Sequence, residues 1–164
     1  MKQATLCFLI KEVQNGRELL LAMKKRGFGA QRWNGVGGKL DPQKGDKKIT
    51  DTAIRETEEE LGIKVKRMEK VAVFNFYYPY LAETDKKDWQ VHVFLANDWE
   101  GEPKETKEMA PKWFREKEIP FNEMWPDDEI WLPRFLRGEK LTGNFFFKKG
   151  DLIDKYDIKI IQCI

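Results

Sequence analysis

One histidine, His92, and two cysteines, Cys7 and Cys163, are all that 164 residues offer of the thiol and imidazole groups. Residues so few and so scattered cannot build a zinc site of the usual spacing. Such low cysteine usage suits a reducing compartment, where both side chains act as small apolar fillers and no bridge is expected. Long apolar runs are missing as well. None approaches the roughly 18 residues that a membrane-crossing helix needs. The opening stretch MKQATLCFLIKEV returns to charge after a short apolar run, so it reads as a strand and not as a signal peptide. Excess charge of either sign is absent too, because 30 basic residues stand against 28 acidic ones. A net charge of +2 gives no support to non-specific binding of a nucleic acid polymer or a membrane. No repeat and no domain boundary is visible. The expectation is one domain over residues 1–164, a cytoplasmic monomer.

What is present mixes strand and helix signals without regular alternation. Residues 4–12 and 18–24 are β-branched and apolar around a polar turn at Gln14, Asn15 and Gly16, which reads as a hairpin. Residues 25–49 are basic and glycine-rich, too long for a plain connection and so expected to be functional. A helix is predicted over 50–61, capped by Thr50 and stopped by Gly62. Further strands are predicted at 71–78, 90–96, 111–115, 143–148 and 156–161. A second helix should start near Pro126 and end before Gly138, bent by Pro133. This order implies a mixed α+β fold with a mixed sheet packed between helices.

The chemistry concentrates in RETEEELGI, Arg55 to Ile63. On a helix, Glu56, Glu59 and Glu60 share one face, and Arg55 can brace Glu59 four residues on. Glu58 points away toward solvent. Three crowded carboxylates repel unless a cation neutralises them, and oxygen ligands select a hard ion such as magnesium. That ion can polarise a phosphoryl group and orient water, while a carboxylate off the metal serves as base. Taken alone, a run of glutamates is more often a solvated helix face. The glycine-rich stretch GVGGK, Gly35 to Lys39, makes the difference.

Together these residues resemble the Nudix box. Its pattern is Gly, five residues, Glu, seven residues, Arg-Glu, an aliphatic residue, one residue, Glu-Glu, one residue, Gly and an aliphatic residue. Gly38, Arg55, Glu56, Glu59, Glu60, Gly62 and Ile63 fit it. The loop from Gly38 to Arg55 is three residues longer than the pattern, the first Glu falls near Asp46 or Lys47, and Thr57 replaces the aliphatic residue. The resemblance implies an α/β/α sandwich. It also implies that Glu56, Glu59 and Glu60, with the backbone of Gly37 or Gly38, hold magnesium or manganese. Glu108 matches a family position near that metal. Water would then attack phosphorus and break a pyrophosphate link, with the base among the glutamates unassigned.

Three further stretches resemble one branch of that family, the oxidised purine nucleoside triphosphatases of animal type. They are MKKRGFGAQRWNGVGGK from Met23, VHVF from Val91 and PFNEMWPDD from Pro120. The resemblance implies that Trp125 and Phe28 flank a purine, with Phe74 lining the pocket. It implies that Asn34, Asp127 and Asp128 read the base edge, and that Lys24 and Thr5 contribute nearby. Stacking of a flat base on aromatic rings, and guanine N–H groups facing a carboxylate, suit that division. Adjacent buried aspartates resist double ionisation, so one can keep a proton and donate it. Pro-Asp-Asp is also an ordinary helix start. A small nucleotide is the expected partner. A Nudix enzyme for another nucleoside diphosphate derivative and a non-catalytic nucleotide-binding module remain as alternatives. Trp89 matches no aromatic position of the family, and His92 reads as structural.

Overall fold

The structure, a computed structural model, describes residues 1–85 and 87–164. Strand β1 (Lys2–Val13) is apolar on both faces, because Cys7 and Leu9 enter one core and Phe8 and Ile10 the other. It turns through Asn15, at φ 64°, into antiparallel β2 (Gly16–Lys24), completing the expected hairpin. The two-residue β3 (Trp33–Asn34) and β6 (Met109–Arg115) both pair along β2. On its other side β1 runs parallel to β5 (Trp89–Glu100). Beyond lie β4 (Lys64–Tyr77), β7 (Leu141–Lys148) and β8 (Leu152–Ile160), giving the order β3-β2-β1-β5-β4-β7-β8. Antiparallel pairs join β3 to β2 and β2 to β1, and beyond β1 parallel and antiparallel pairs alternate, so the sheet is mixed as expected.

The helices take opposite faces. Helix α1 (Ile49–Leu61) buries Ala53, Thr57 and Leu61, one per turn, against the core that holds Cys7, Leu9 and Phe94. It starts one residue before the expected place, and Thr50 is not its cap. Lys48 occupies that position in extended backbone, and the Asp51 carboxylate accepts from the Lys47 and Lys48 amides at 3.0 and 3.1 Å. A charged acceptor outcompetes a hydroxyl for these donors. The Thr50 hydroxyl is buried without a partner. Thr57, where an aliphatic residue was expected, is fully buried and donates to the Ala53 carbonyl at 2.6 Å. Gly62 ends the helix at φ 70°, and its amide donates to the Glu58 carbonyl.

Helix α2 (Asp128–Leu136) covers the other face and starts two residues after Pro126, because Trp125 to Asp128 forms a turn first. Pro133 lies inside it, and Gly138, at φ 91°, follows its end. Strand β4 begins at Lys64, earlier than the apolar run from Val71, and register shifts along Val65–Ala72 accommodate its charged start. Both cysteines are free, Cys7 buried and Cys163 exposed. Among the described residues no helix is long and apolar enough to cross a membrane.

An aromatic cluster fills the core beneath α2. Phe74 meets Trp131 at 5.2 Å and Phe145 at 5.5 Å between ring centroids. The Phe145–Phe147 run splits by strand alternation, with Phe145 and Phe147 buried and Phe146 stacked on Tyr77 over the opposite face. Phe145→Ala should therefore lower the unfolding free energy by about 3–5 kcal/mol. Urea unfolding of both proteins checks this; a change below about 1 kcal/mol would mean that the ring does not close this core.

Candidate active site

The Gly35–Lys39 segment runs beside β1. Cys7 and Val36 exchange backbone hydrogen bonds at 2.6 and 3.0 Å, and the Thr5 amide donates to the Gly38 carbonyl at 2.9 Å. A Cβ on Gly37 would overlap the Thr5 carbonyl, and one on Gly38 would overlap the Glu56 carboxylate. At Gly37 the atom met is backbone, so glycine is required there; at Gly38 the Glu56 carboxylate would have to move. The same approach sets the Gly37 amide on Glu60, which accepts it at 3.2 Å.

Arg55 organises the carboxylates. Its Nη1 donates to Glu56 at 2.7 Å and to Glu59 at 3.2 Å, so the expected brace is present. Its main partner is another residue, Asp46, held by two hydrogen bonds at 2.9 and 2.7 Å. Asp46 is buried and also accepts from the Thr52 hydroxyl and the Asp41 amide, each at 2.9 Å. Arg55 holds the Asp46 carboxyl far below the usual carboxylate range. Glu59 is half exposed and is shared with Lys44 at 3.3 Å, while Glu58 faces solvent. Glu60 is different. Burial first, and then the neighbouring Glu56 charge, push its carboxyl up to about 8. The Gly37 amide and the Lys24 charge act the other way. Glu108 is exposed and paired with Arg26, yet its charge still reaches Glu60.

Among the described residues no three acidic or imidazole side chains already converge as a metal cluster. The donor set nevertheless fits a hard divalent cation. Carboxylate oxygens of Glu56 and Glu60 crowd one another beside backbone groups, and a cation would relieve the repulsion that now raises Glu60.

A pocket of about 500 Å³ opens beside this segment. Thr5, Lys24, Phe28, Asn34, Phe74, Trp125, Asp127 and Asp128 all line it, with Gly37 and Gly38. Thus every residue expected to touch a substrate lies in one place. Phe28 and Trp125 do not stand on two sides of a gap. Their rings are 5.2 Å apart and tilted by 35°, so they contact each other and make one wall. Phe74 is fully buried and belongs to the floor. The Asn34 side-chain oxygen accepts from the Gly35 amide at 2.8 Å, which leaves its NH2 as the group able to donate.

Asp127 and Asp128 are both buried. The Trp131 indole N–H donates to Asp127 at 2.8 Å, and the Trp125 amide donates to Asp128 at 3.1 Å. Burial raises both carboxyls, and the Asp127 charge raises Asp128 further. A pair raised in this way can share a proton, and so offer an acceptor and a donor together. His92 lies outside the pocket, bonded to Gln3 at 3.1 Å, and burial lowers it to about 4.

The family model for the NUDIX domain matches residues 2–135. The chain belongs to the Nudix family. It is 41% identical to the oxidized purine nucleoside triphosphate hydrolase of Danio rerio, over 99% of each chain. The protein of the same name from Mus musculus is 42% identical over the same share. Among solved structures, the mutator MutT protein from Bacillus halodurans shares the fold, with a TM-score of 0.76, 23% identity, and coverage of 96% and 97% of the two chains.

Within this Nudix fold the lengthened loop resolves the doubt over the first acidic position of the box. Asp46, not Lys47, meets Arg55. Proximity in spacing could not separate the two; burial of a carboxylate beside the arginine could. Trp89, Lys2 and Lys39 also line the pocket, and no signal in the residues pointed the tryptophan there. Both ammonium groups lie over the indole, at 5.7 and 5.5 Å from its centroid.

The buried Asp46–Arg55 pair predicts an acid dependence. Because Asp46 titrates below its unfolded value of about 4, the pair contributes full stability above that pH. The contribution disappears as pH falls below it. Asp46→Asn should cost about 3–5 kcal/mol at pH 7 and flatten the acid loss. Urea unfolding at pH 7 and pH 3 reads both effects, and an equally steep loss in the variant would refute the assignment.

Proposed function

We propose that the chain hydrolyses oxidised purine nucleoside triphosphates, 8-oxo-dGTP foremost and 2-oxo-dATP with it, to the monophosphate and pyrophosphate. It would thereby clear damaged precursors from the nucleotide pool. The observation that carries this reading is a single pocket with a buried acid pair, Asp127 and Asp128, which also reaches Gly37 and Gly38 beside the carboxylate helix. Relatives named for that hydrolysis align along nearly the whole chain, which supports it. The partner is then a free nucleotide, and the same reading takes the protein as a cytoplasmic monomer.

Each residue has a role in this account. Asp127 accepts from a base N–H and protonated Asp128 donates to a ring nitrogen or carbonyl. Asn34 adds a donor. Trp125, with Phe28 against it, offers an aromatic face, and Phe74 stiffens the floor. Lys24 draws the phosphates toward Glu60. Glu56, Glu59 and Glu60, with the Gly37–Gly38 backbone and Glu108 close by, would hold magnesium or manganese, which supplies charge neutralisation and an activated water when bound. Arg55 fixes the direction of Glu56 and leaves Glu60 to the metal side.

The test is the ratio of kcat/KM for 8-oxo-dGTP to that for dGTP with magnesium, products scored. The expected result is a ratio well above one with pyrophosphate released, abolished by a chelator and restored by metal. Turnover at a ratio near one would move the assignment to another nucleoside diphosphate derivative. Tight binding of both without turnover would make the protein a binding module. A second prediction concerns the acid pair. Asp127→Asn and Asp128→Asn should change the preference among modified purines by about tenfold or more while metal dependence stays as it was. Unaltered kinetics of both variants on every purine would remove the acid pair from base reading.

A further inference from the structure

We propose that Arg32 is a positioning residue of the base pocket, holding the Trp125 indole through a stacked guanidinium that Asp151 anchors. This inference rests on the hydrolase reading only for its kinetic consequence. The Arg32 Cζ lies 3.9 Å from the Trp125 ring centroid, the separation of a face-to-face stack. Its Nη2 donates to Asp151 at 3.2 Å. Asp151 sits between β7 and β8 with φ 57°, a left-handed conformation that aspartate tolerates better than most residues. One side chain from the loop before β3 thus ties the segment before α2 to the turn between β7 and β8.

Packing alone does not explain an arginine here. Its Nη1 is buried and has no hydrogen-bond partner. An orphaned buried donor is unfavourable, so the stack and the Asp151 bond must offset it. Only a planar guanidinium covers an indole face while keeping a fork for a carboxylate; a lysine ammonium does not. Arg32 does not itself line the pocket, so it acts through Trp125. Its charge also opposes the upward pressure of burial on Asp127 and Asp128. The Trp125 ring also touches half-exposed Phe28 and meets the edge of Phe147 at 6.2 Å, and its amide bonds to Asp128, so among the described residues Arg32 supplies the one charged partner over its face.

The experiment uses the full chain labelled with 5-fluorotryptophan, the Trp125 resonance being assigned with Trp125→Phe. Arg32→Ala should shift and broaden that resonance without any ligand. It should raise KM for 8-oxo-dGTP about tenfold with kcat held within about twofold. Asp151→Asn should give the same pattern at about threefold, and it carries the test if Arg32→Ala does not fold. Arg32→Lys keeps the charge and should rescue neither readout. An unmoved Trp125 resonance, or full rescue by lysine, overturns the proposal. So does a moved resonance with unchanged KM in a protein that turns over 8-oxo-dGTP. If the wild-type protein has no such turnover, the hydrolase reading fails, and the ligand-free resonance still decides whether Arg32 holds Trp125.

Discussion

The backbone from Gly35 to Lys39 has to touch two things at once. It hydrogen-bonds along β1 at Thr5 and Cys7, and it lies against the carboxylate face of α1 at Glu56 and Glu60. No side chain fits between these surfaces at positions 37 and 38. The rest of the site depends on that contact. It fixes the distance from α1 to the sheet, points the Gly37 amide at Glu60, and leaves a gap on the far side of β1 that becomes the pocket. A side chain at position 37 would push the segment off β1, and one at position 38 would displace the Glu56 carboxylate.

Negative charge is handled in three different ways around this contact, each set by local burial. Asp46 is buried and fully ionised because Arg55 meets it with two hydrogen bonds. Glu60 is partly buried with a single amide donor, and its ionisation is strained by Glu56. Asp127 and Asp128 are adjacent and both buried, so each resists ionisation, and the Asp127 charge adds to the resistance of Asp128. The first arrangement is structural. The second is unfavourable without a cation and so points to a metal. The third generates a donor that no ionised carboxylate has. Identical functional groups acquire separate roles from the number of N–H donors each one finds.

Much of this was legible in the residues. The hairpin at Asn15–Gly16, the helix of Arg55 to Glu60 with its Gly62 stop, and the strand at VHVF follow from periodicity and turn chemistry. The string MWPDD pointed to the pocket through its resemblance to the oxidised purine nucleoside triphosphatases of animal type, since Pro-Asp-Asp by itself is equally an ordinary helix start. Other features depend on three-dimensional competition that one sequence does not display. Asp51 displaces Thr50 as the cap because its carboxylate reaches back to two amides. Asp46 prevails over Lys47 because only a carboxylate satisfies buried Arg55. Phe28 and Trp125 close on each other because nothing separates them, and spacing along the chain says nothing about that gap. Arg32 was indistinguishable from its basic neighbours until its guanidinium was seen on the Trp125 face.

The two halves of the site come from opposite faces of one sheet. Helix α1 packs on the core of Cys7 and Leu9, and α2 on the core of Phe8 and Ile10, so the alternating side chains of a single strand separate them. A rigid sheet therefore sets the distance from the acid pair to the carboxylate helix, and neither helix can shift that distance alone. On the near wall Phe28 is half exposed and Lys87 lies 4.8 Å over its ring. Such a division favours discrimination at one end and chemistry at the other. On the proposed reading, a base that fails to satisfy Asp127 and Asp128 would leave a buried acid unpaired, whereas one that satisfies them would bring its phosphates toward Lys24, Gly37 and Gly38 in the same pocket.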